Sequence, residues 1–113
     1  MLFKASLLTA ILSALAYAAP SMKSRQACSD VTVIFARGTG EPPPIGTIVG
    51  PLFEAALQTT IGKSLSFQGV QYAASIPGFL EGGDPAGAST MAADVTSAAS
   101  LCPNTQIVMS GYR

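Results

Sequence analysis

The stretch TQIVMSGYR, Thr105 to Arg113, is the one whose reading decides the fold. Thr105 to Met109 reads as a buried strand: a short run in which Ile107, Val108 and Met109 are apolar, too short for a helix. Cys102-Pro103-Asn104 separates it from what precedes, because proline and asparagine interrupt regular structure. Ser110-Gly111-Tyr112-Arg113 follows, and a strand that runs into Gly-x is expected to enter a turn.

Working back from Cys102, Met91, Val95 and Ala98 recur at helical spacing and predict a helix over about Ala88 to Leu101. The preceding AASIPGFLEGGDPAGAS, Ala73 to Ser89, carries glycines and prolines and reads as a long loop of the functional or mobile kind. LSFQGVQY, Leu65 to Tyr72, reads as a strand. Leu52, Phe53, Ala56, Leu57 and Ile61 predict a helix over about Val49 to Ile61, with Pro51 in its first turn and Gly62 closing it. RGTGEPPPIG, Arg37 to Gly46, is a turn, and VTVIFA, Val31 to Ala36, is a strand buried on both faces.

Strand, helix, strand, helix, strand is the order of a parallel sheet with crossover helices. The expected architecture is therefore α/β, an open and doubly wound parallel sheet. Three strands leave an edge that later units would normally cover, so the domain over 28–113 reads as truncated.

The residues before that domain have a different character. MLFKASLLTAILSALAYAAP has Lys4 as its only charge, then an apolar run, then Ala16-Tyr17-Ala18, which satisfies the small-x-small cleavage rule. Residues 1–18 are expected to be a secretory signal peptide and 19–27 a short pro-segment or loose N-terminus. A membrane anchor is the alternative, but the run is shorter than the roughly 20 apolar residues that span a bilayer. After cleavage the protein is expected to be extracellular, monomeric and free of the membrane.

Secretion bears on the cysteines. Cys28 and Cys102 form an even pair without CxxC spacing, and in an oxidising compartment one disulfide is the simplest reading, two buried free thiols being the alternative. Net charge is zero, with six basic residues spread along the chain against six acidic ones, which gives nucleic-acid binding no electrostatic footprint. Histidine is absent, which removes the commonest general base and metal ligand, and neither a metal nor a cofactor is expected.

In doubly wound sheets chemistry gathers at the carboxyl ends of strands. The first such end delivers Arg37-Gly38-Thr39-Gly40-Glu41 into a turn, where glycines admit a ligand to the backbone and Thr39 brings a hydroxyl. A nucleotide loop and a plain structural turn are the alternatives; Pro42 and Pro43 break the full GxGxxG pattern. Glu81 and Asp84 read as solvated loop carboxylates rather than catalytic ones.

The second end is Ser110 to Arg113. Taken together, the leader, a cysteine before the first core strand, VIFARGTGE, VQYAASIPGFLEGGDPAGASTM, the second cysteine before Pro103 and the final TQIVMSGY resemble the N-terminal half of the fungal cutinase family. These are secreted serine esterases of the three-layer αβα α/β-hydrolase fold, and the resemblance covers essentially all of Cys28 to Tyr112. In that family the last strand enters a Gly-x-Ser-x-Gly nucleophile elbow. Gly111 and Tyr112 match its first two positions, and the serine position is Arg113.

The resemblance implies a carboxylic ester hydrolase acting on cutin or another ester, with Thr39 as an oxyanion-hole donor and Cys28–Cys102 as the family's first disulfide. The nucleophilic serine, the catalytic Asp and the His have no counterpart among these residues, so the chain as given is expected to be inactive. A relative of the acetylxylan esterases and a non-catalytic secreted protein are the alternatives.

Overall fold

The computed structural model describes residues 28–113. The expected signal peptide and pro-segment lie outside the described residues. Strand β1, Val31–Ala36, runs between β2, Leu65–Gly69, and β3, Gln106–Gly111, in a parallel sheet of order β2-β1-β3. The register is continuous on both sides, with Val33 opposite Phe67 and Val108, and Phe35 opposite Gly69 and Ser110.

Helix α1, Gly50–Thr60, joins β1 to β2, and α3, Pro85–Leu101, joins β2 to β3. A short helix α2, Ile76–Leu80, precedes α3. The first crossover carries the chain to one side of β1 and the second brings it back to the other. With right-handed crossovers, that reversal puts the two long helices on opposite faces of the sheet. Packing agrees: Phe53 of α1 meets Phe35 and Phe67, with ring centroids 6.3 and 5.7 Å apart, while α3 lies against β1 and β3. The result is the three-layer arrangement that the sequence predicts.

The core is the middle strand. Val33, Ile34 and Phe35 are at most 1% exposed, and Val70, Ala74 and Ala98 close over them. Strand β1 is apolar on both faces because both faces are covered, which is why its sequence does not alternate. Thr32, buried on this strand, has its hydroxyl partnered by that of Thr105 at 2.8 Å. Cys28 and Cys102 are joined, with Cα atoms 5.6 Å apart, tying the approach to β1 to the end of α3.

Several boundaries differ from the sequence reading. Strand β2 ends at Gly69 rather than Tyr72. The expected long loop contains α2, started by Ser75, whose hydroxyl accepts from the Gly78 N–H. Helix α3 begins at Pro85, three residues early, because Asp84 caps it: Oδ1 accepts from the N–H groups of Ala86 and Gly87 at 2.9 and 3.3 Å. Asp84 is thus a cap and not a free loop carboxylate. Strand β3 reaches Gly111, and it is not buried: Val108 is 42% and Met109 63% exposed. Its outer edge is uncovered among the described residues, so its apolar side chains face solvent.

Candidate active site

In a sheet of order 2-1-3 the chain leaves β1 toward one side and returns across it to β3 on the other, and doubly wound sheets form their crevices at the carboxyl ends of strands where the winding reverses in this way, here β1 and β3. The residues that follow those two strands meet there. Thr39, three residues past β1, donates its hydroxyl to the main-chain oxygen of Arg113 at 3.0 Å. Its N–H points at the same oxygen from 3.4 Å, a longer and weaker contact. The Tyr112 N–H donates to the Ala36 carbonyl at 3.1 Å, so pairing with β1 continues up to this point.

Arg113 itself has φ +49°, in the left-handed region that side chains other than glycine seldom occupy. The Arg113 guanidinium lies 5.9 Å from the centroid of the Tyr112 ring.

The loop that carries Thr39 is held from below by Arg37. That side chain is 7% exposed, and its Nε donates to the Glu41 carbonyl at 2.7 Å. The guanidinium also sits over the Tyr72 ring, 5.3 Å from its centroid, while the Tyr72 hydroxyl donates to the Arg37 carbonyl in a short hydrogen bond. A buried guanidinium needs such partners, since each missing one would cost desolvation without return.

Glu41 organises the loop from within. Its Oε2 accepts from the Gly38 N–H at 2.7 Å, and its Oε1 from the N–H groups of Thr47 and Ile48, both at 2.9 Å. These bonds, Thr47 and Ile48 foremost, then Gly38 and the Arg37 charge, hold its carboxyl below the usual glutamate range despite some desolvation. Gly38 and Gly46 make room for it: a Cβ at either would come within 2.7 Å of the carboxylate oxygens.

A cavity of about 440 Å³ opens beside Thr39 and Arg113, bounded by Tyr72, Ser75, Phe79 and Asp84. Ile76, Phe79 and Leu80 of α2 are more than half exposed, and of these Phe79 lines the cavity. Phe79 also lines a smaller neighbouring cavity with Thr39, Ile76 and Arg113. Thr39 thus brings a hydroxyl and an N–H, both facing a main-chain oxygen here, to the edge of a cavity that the Phe79 ring also lines. Among the described residues, no group of three or more His, Cys, Asp and Glu side chains could hold a metal ion, and no helix is long and apolar enough to cross a membrane.

The sequence reading placed Thr39 and position 113 at separate strand ends, and the structure brings them into contact. Glu81 is exposed and away from that contact, at the end of α2. The parts played by Arg37, Tyr72 and Glu41 were not legible. Their hydrogen bonds join positions up to 36 residues apart, or close a loop that no periodicity marks.

Comparison with known proteins places these features in context. The cutinase family model matches residues 27–113. A cutinase of Monilinia fructicola is 56% identical over 107 residues, covering 95% of this chain and 53% of that protein. A cutinase of Botryotinia fuckeliana is 58% identical over 102 residues, 89% of this chain and 50% of that protein. The solved structure of Trichoderma reesei cutinase in complex with a C11Y4 phosphonate inhibitor superposes with a TM-score of 0.70 at 45% identity, over 75% of this chain and 39% of that one. The chain spans about half the length of the curated relatives it matches.

Proposed function

The chain belongs to the cutinase family, and on that premise we propose that it supplies the oxyanion-binding and nucleophile-approach part of a secreted cutinase-type carboxylic ester hydrolase. The observation that carries this reading is the meeting of Thr39, past the end of β1, with residue 113, past the end of β3, at the carboxyl ends of two neighbouring parallel strands. In acyl transfer the ester carbonyl oxygen gains negative charge as the tetrahedral intermediate forms, and donors already fixed around it stabilise that charge without reorganising. Thr39 is the donor residue in this reading. Residue 113, two residues after β3, takes the serine position of a nucleophile elbow in this reading.

Residues 1–18 serve as the secretory leader and 19–27 as the segment before a partial domain over 28–113. The whole protein works as an extracellular monomer on cutin without a cofactor. The nucleophile and its base are not among these 113 residues in usable form. Arg113 has no hydroxyl or thiol with which to attack a carbonyl, and the described sequence holds no histidine to take a proton from any hydroxyl. None of the serines sits in a Gly-x-Ser-x-Gly context.

Hydrolysis of p-nitrophenyl butyrate tests the proposal. The whole protein, with Ser-Gln-Gly in frame after Tyr112, turns it over, and the 113-residue chain alone does not. Turnover by that chain above its Thr39→Ala control would refute the inactivity. A verified stop codon after Arg113, with the secreted product detected, would favour the second reading, a non-catalytic protein, which Arg113 and the missing histidine support. Acetate release from acetylated xylan in preference to hydroxy-fatty-acid release from cutin would move the substrate assignment to the related acetylxylan esterases.

A further inference from the structure

We propose that Glu41 is a positioning residue for the oxyanion donor: its carboxylate closes the 38–48 loop on itself and so fixes where Thr39 points. The inference rests on the reading of Thr39 given above. Thr39 lies between two residues whose amides are pinned. The Gly38 N–H is held by Glu41 Oε2 at 2.7 Å, and the Gly40 N–H by the Ala74 carbonyl at 2.8 Å. The Glu41 N–H in turn donates to the Gly38 carbonyl at 3.0 Å, which makes a tight turn with Thr39 and Gly40 at its tip.

The other oxygen of the same carboxylate gathers the far end of the loop through Thr47 and Ile48, each at 2.9 Å. One side chain thus satisfies three main-chain donors from two stretches of loop that share no regular structure. Three charge-assisted bonds to one carboxylate form a rigid hub. Arg37 fixes the main chain of the same residue by donating to the Glu41 carbonyl at 2.7 Å. Without the carboxylate, Gly38 would lose its only described restraint on the amide side, and the Thr39 hydroxyl would be free to leave the oxygen it now faces.

The test is a double-mutant comparison in the whole protein, with kcat and KM measured on p-nitrophenyl butyrate. Glu41→Gln keeps the size but puts an amide NH2 against N–H donors, so at least one of the three bonds is lost. The expected result is a fall in kcat of roughly 10- to 100-fold, the range that a displacement of about 1 Å produces, with KM changed by less than about twofold. In a Thr39→Ala background the same substitution lowers kcat by less than about twofold further, because the hydroxyl it positions is already gone and only the longer, weaker N–H contact remains to be disturbed.

If Glu41→Gln does not accumulate as folded protein, Glu41→Asp replaces it; one methylene shorter, it cannot span to both Gly38 and Thr47, and the same kcat loss is expected. Unchanged kcat in the Glu41 variant, or multiplicative losses in the double variant, would overturn the inference. Unchanged kcat in Thr39→Ala alone would instead overturn the reading of Thr39, whatever Glu41 does.

Discussion

The hydroxyl of Thr39 lies 3.0 Å from the main-chain oxygen of Arg113, 74 residues later in the chain. Neither residue belongs to a helix or a strand. They meet because β1 and β3 are parallel neighbours in register, Ala36 opposite Gly111, so the segments leaving both strands emerge side by side.

The cystine should be a major contributor to stability. It spans 74 positions, and a loop of that size is worth about 4 to 5 kcal/mol in the chain-entropy account. Replacing Cys28 and Cys102 by serine in the whole protein is expected to lower stability by about 2 to 5 kcal/mol, read from denaturant midpoint and slope together, the slope rising because the unlinked denatured chain exposes more surface. A loss below about 1 kcal/mol would show that the bridge constrains little.

Asp84 should behave as a cap. Substitution by alanine removes the acceptor for the N–H groups of Ala86 and Gly87, and a cost of about 1 kcal/mol is expected in thermal or denaturant unfolding. Ester-hydrolysis kcat should stay within about twofold. A large kcat loss at unchanged stability would give this carboxylate a chemical role.

Acid should loosen the 38–48 loop before it unfolds the sheet. Glu41 is held below the ordinary glutamate value in the folded state, so its anion is the form that the loop binds. Its contribution is fully present above the unfolded pKa of about 4.3 and is lost as pH falls through the lower folded value. The protection factors of the Gly38, Thr47 and Ile48 amides, exchange rates relative to the free peptide at the same pH, should fall together through that acid window, and not in Glu41→Gln. Unchanged protection across the window would contradict the assignment.

The 113-residue chain on its own should associate. Among the described residues, strand β3 presents an unpaired edge with Val108 and Met109 substantially exposed, and Leu52, Leu80 and Leu101 are each at least 70% exposed. Unpaired apolar edges seed strand addition between copies. Light scattering is expected to show aggregates, reduced by Met109→Lys; a monodisperse sample with a sharp reversible thermal transition would contradict this.

How much of this could be read beforehand follows from how local each feature is. Strand β1 was legible because burial on both faces writes itself as an unbroken apolar run. Helix α1 was legible from its spacing and from Pro51 in its first turn. Helix α2 was missed because IPGFL contains proline and glycine, although Ser75 before Pro77 is the kind of start signal that short helices use. Asp84-Pro85 is the same signal, and reading it would have placed the start of α3 correctly.

Strand β3 was identified, and an uncovered sheet edge was expected from the three-strand count, but the run itself reads as buried. Its sequence suits a strand covered on both faces, and exposure depends on what else packs there, which no local pattern encodes. For the site, Thr39 and position 113 were both named from the family resemblance, whereas Glu41 appeared only as part of a turn. Its function is visible only once Gly38, Thr47 and Ile48 are seen to converge on it.

The central claim is that Thr39 is the oxyanion donor, and steady-state kinetics of the whole protein on p-nitrophenyl butyrate tests it most directly. Thr39→Ala should lower kcat by about 10²- to 10³-fold with KM within about twofold, and Thr39→Ser, which keeps the hydroxyl, should recover most of the loss. A Thr39→Ala enzyme whose kcat stays within about twofold of the unsubstituted protein would contradict the account.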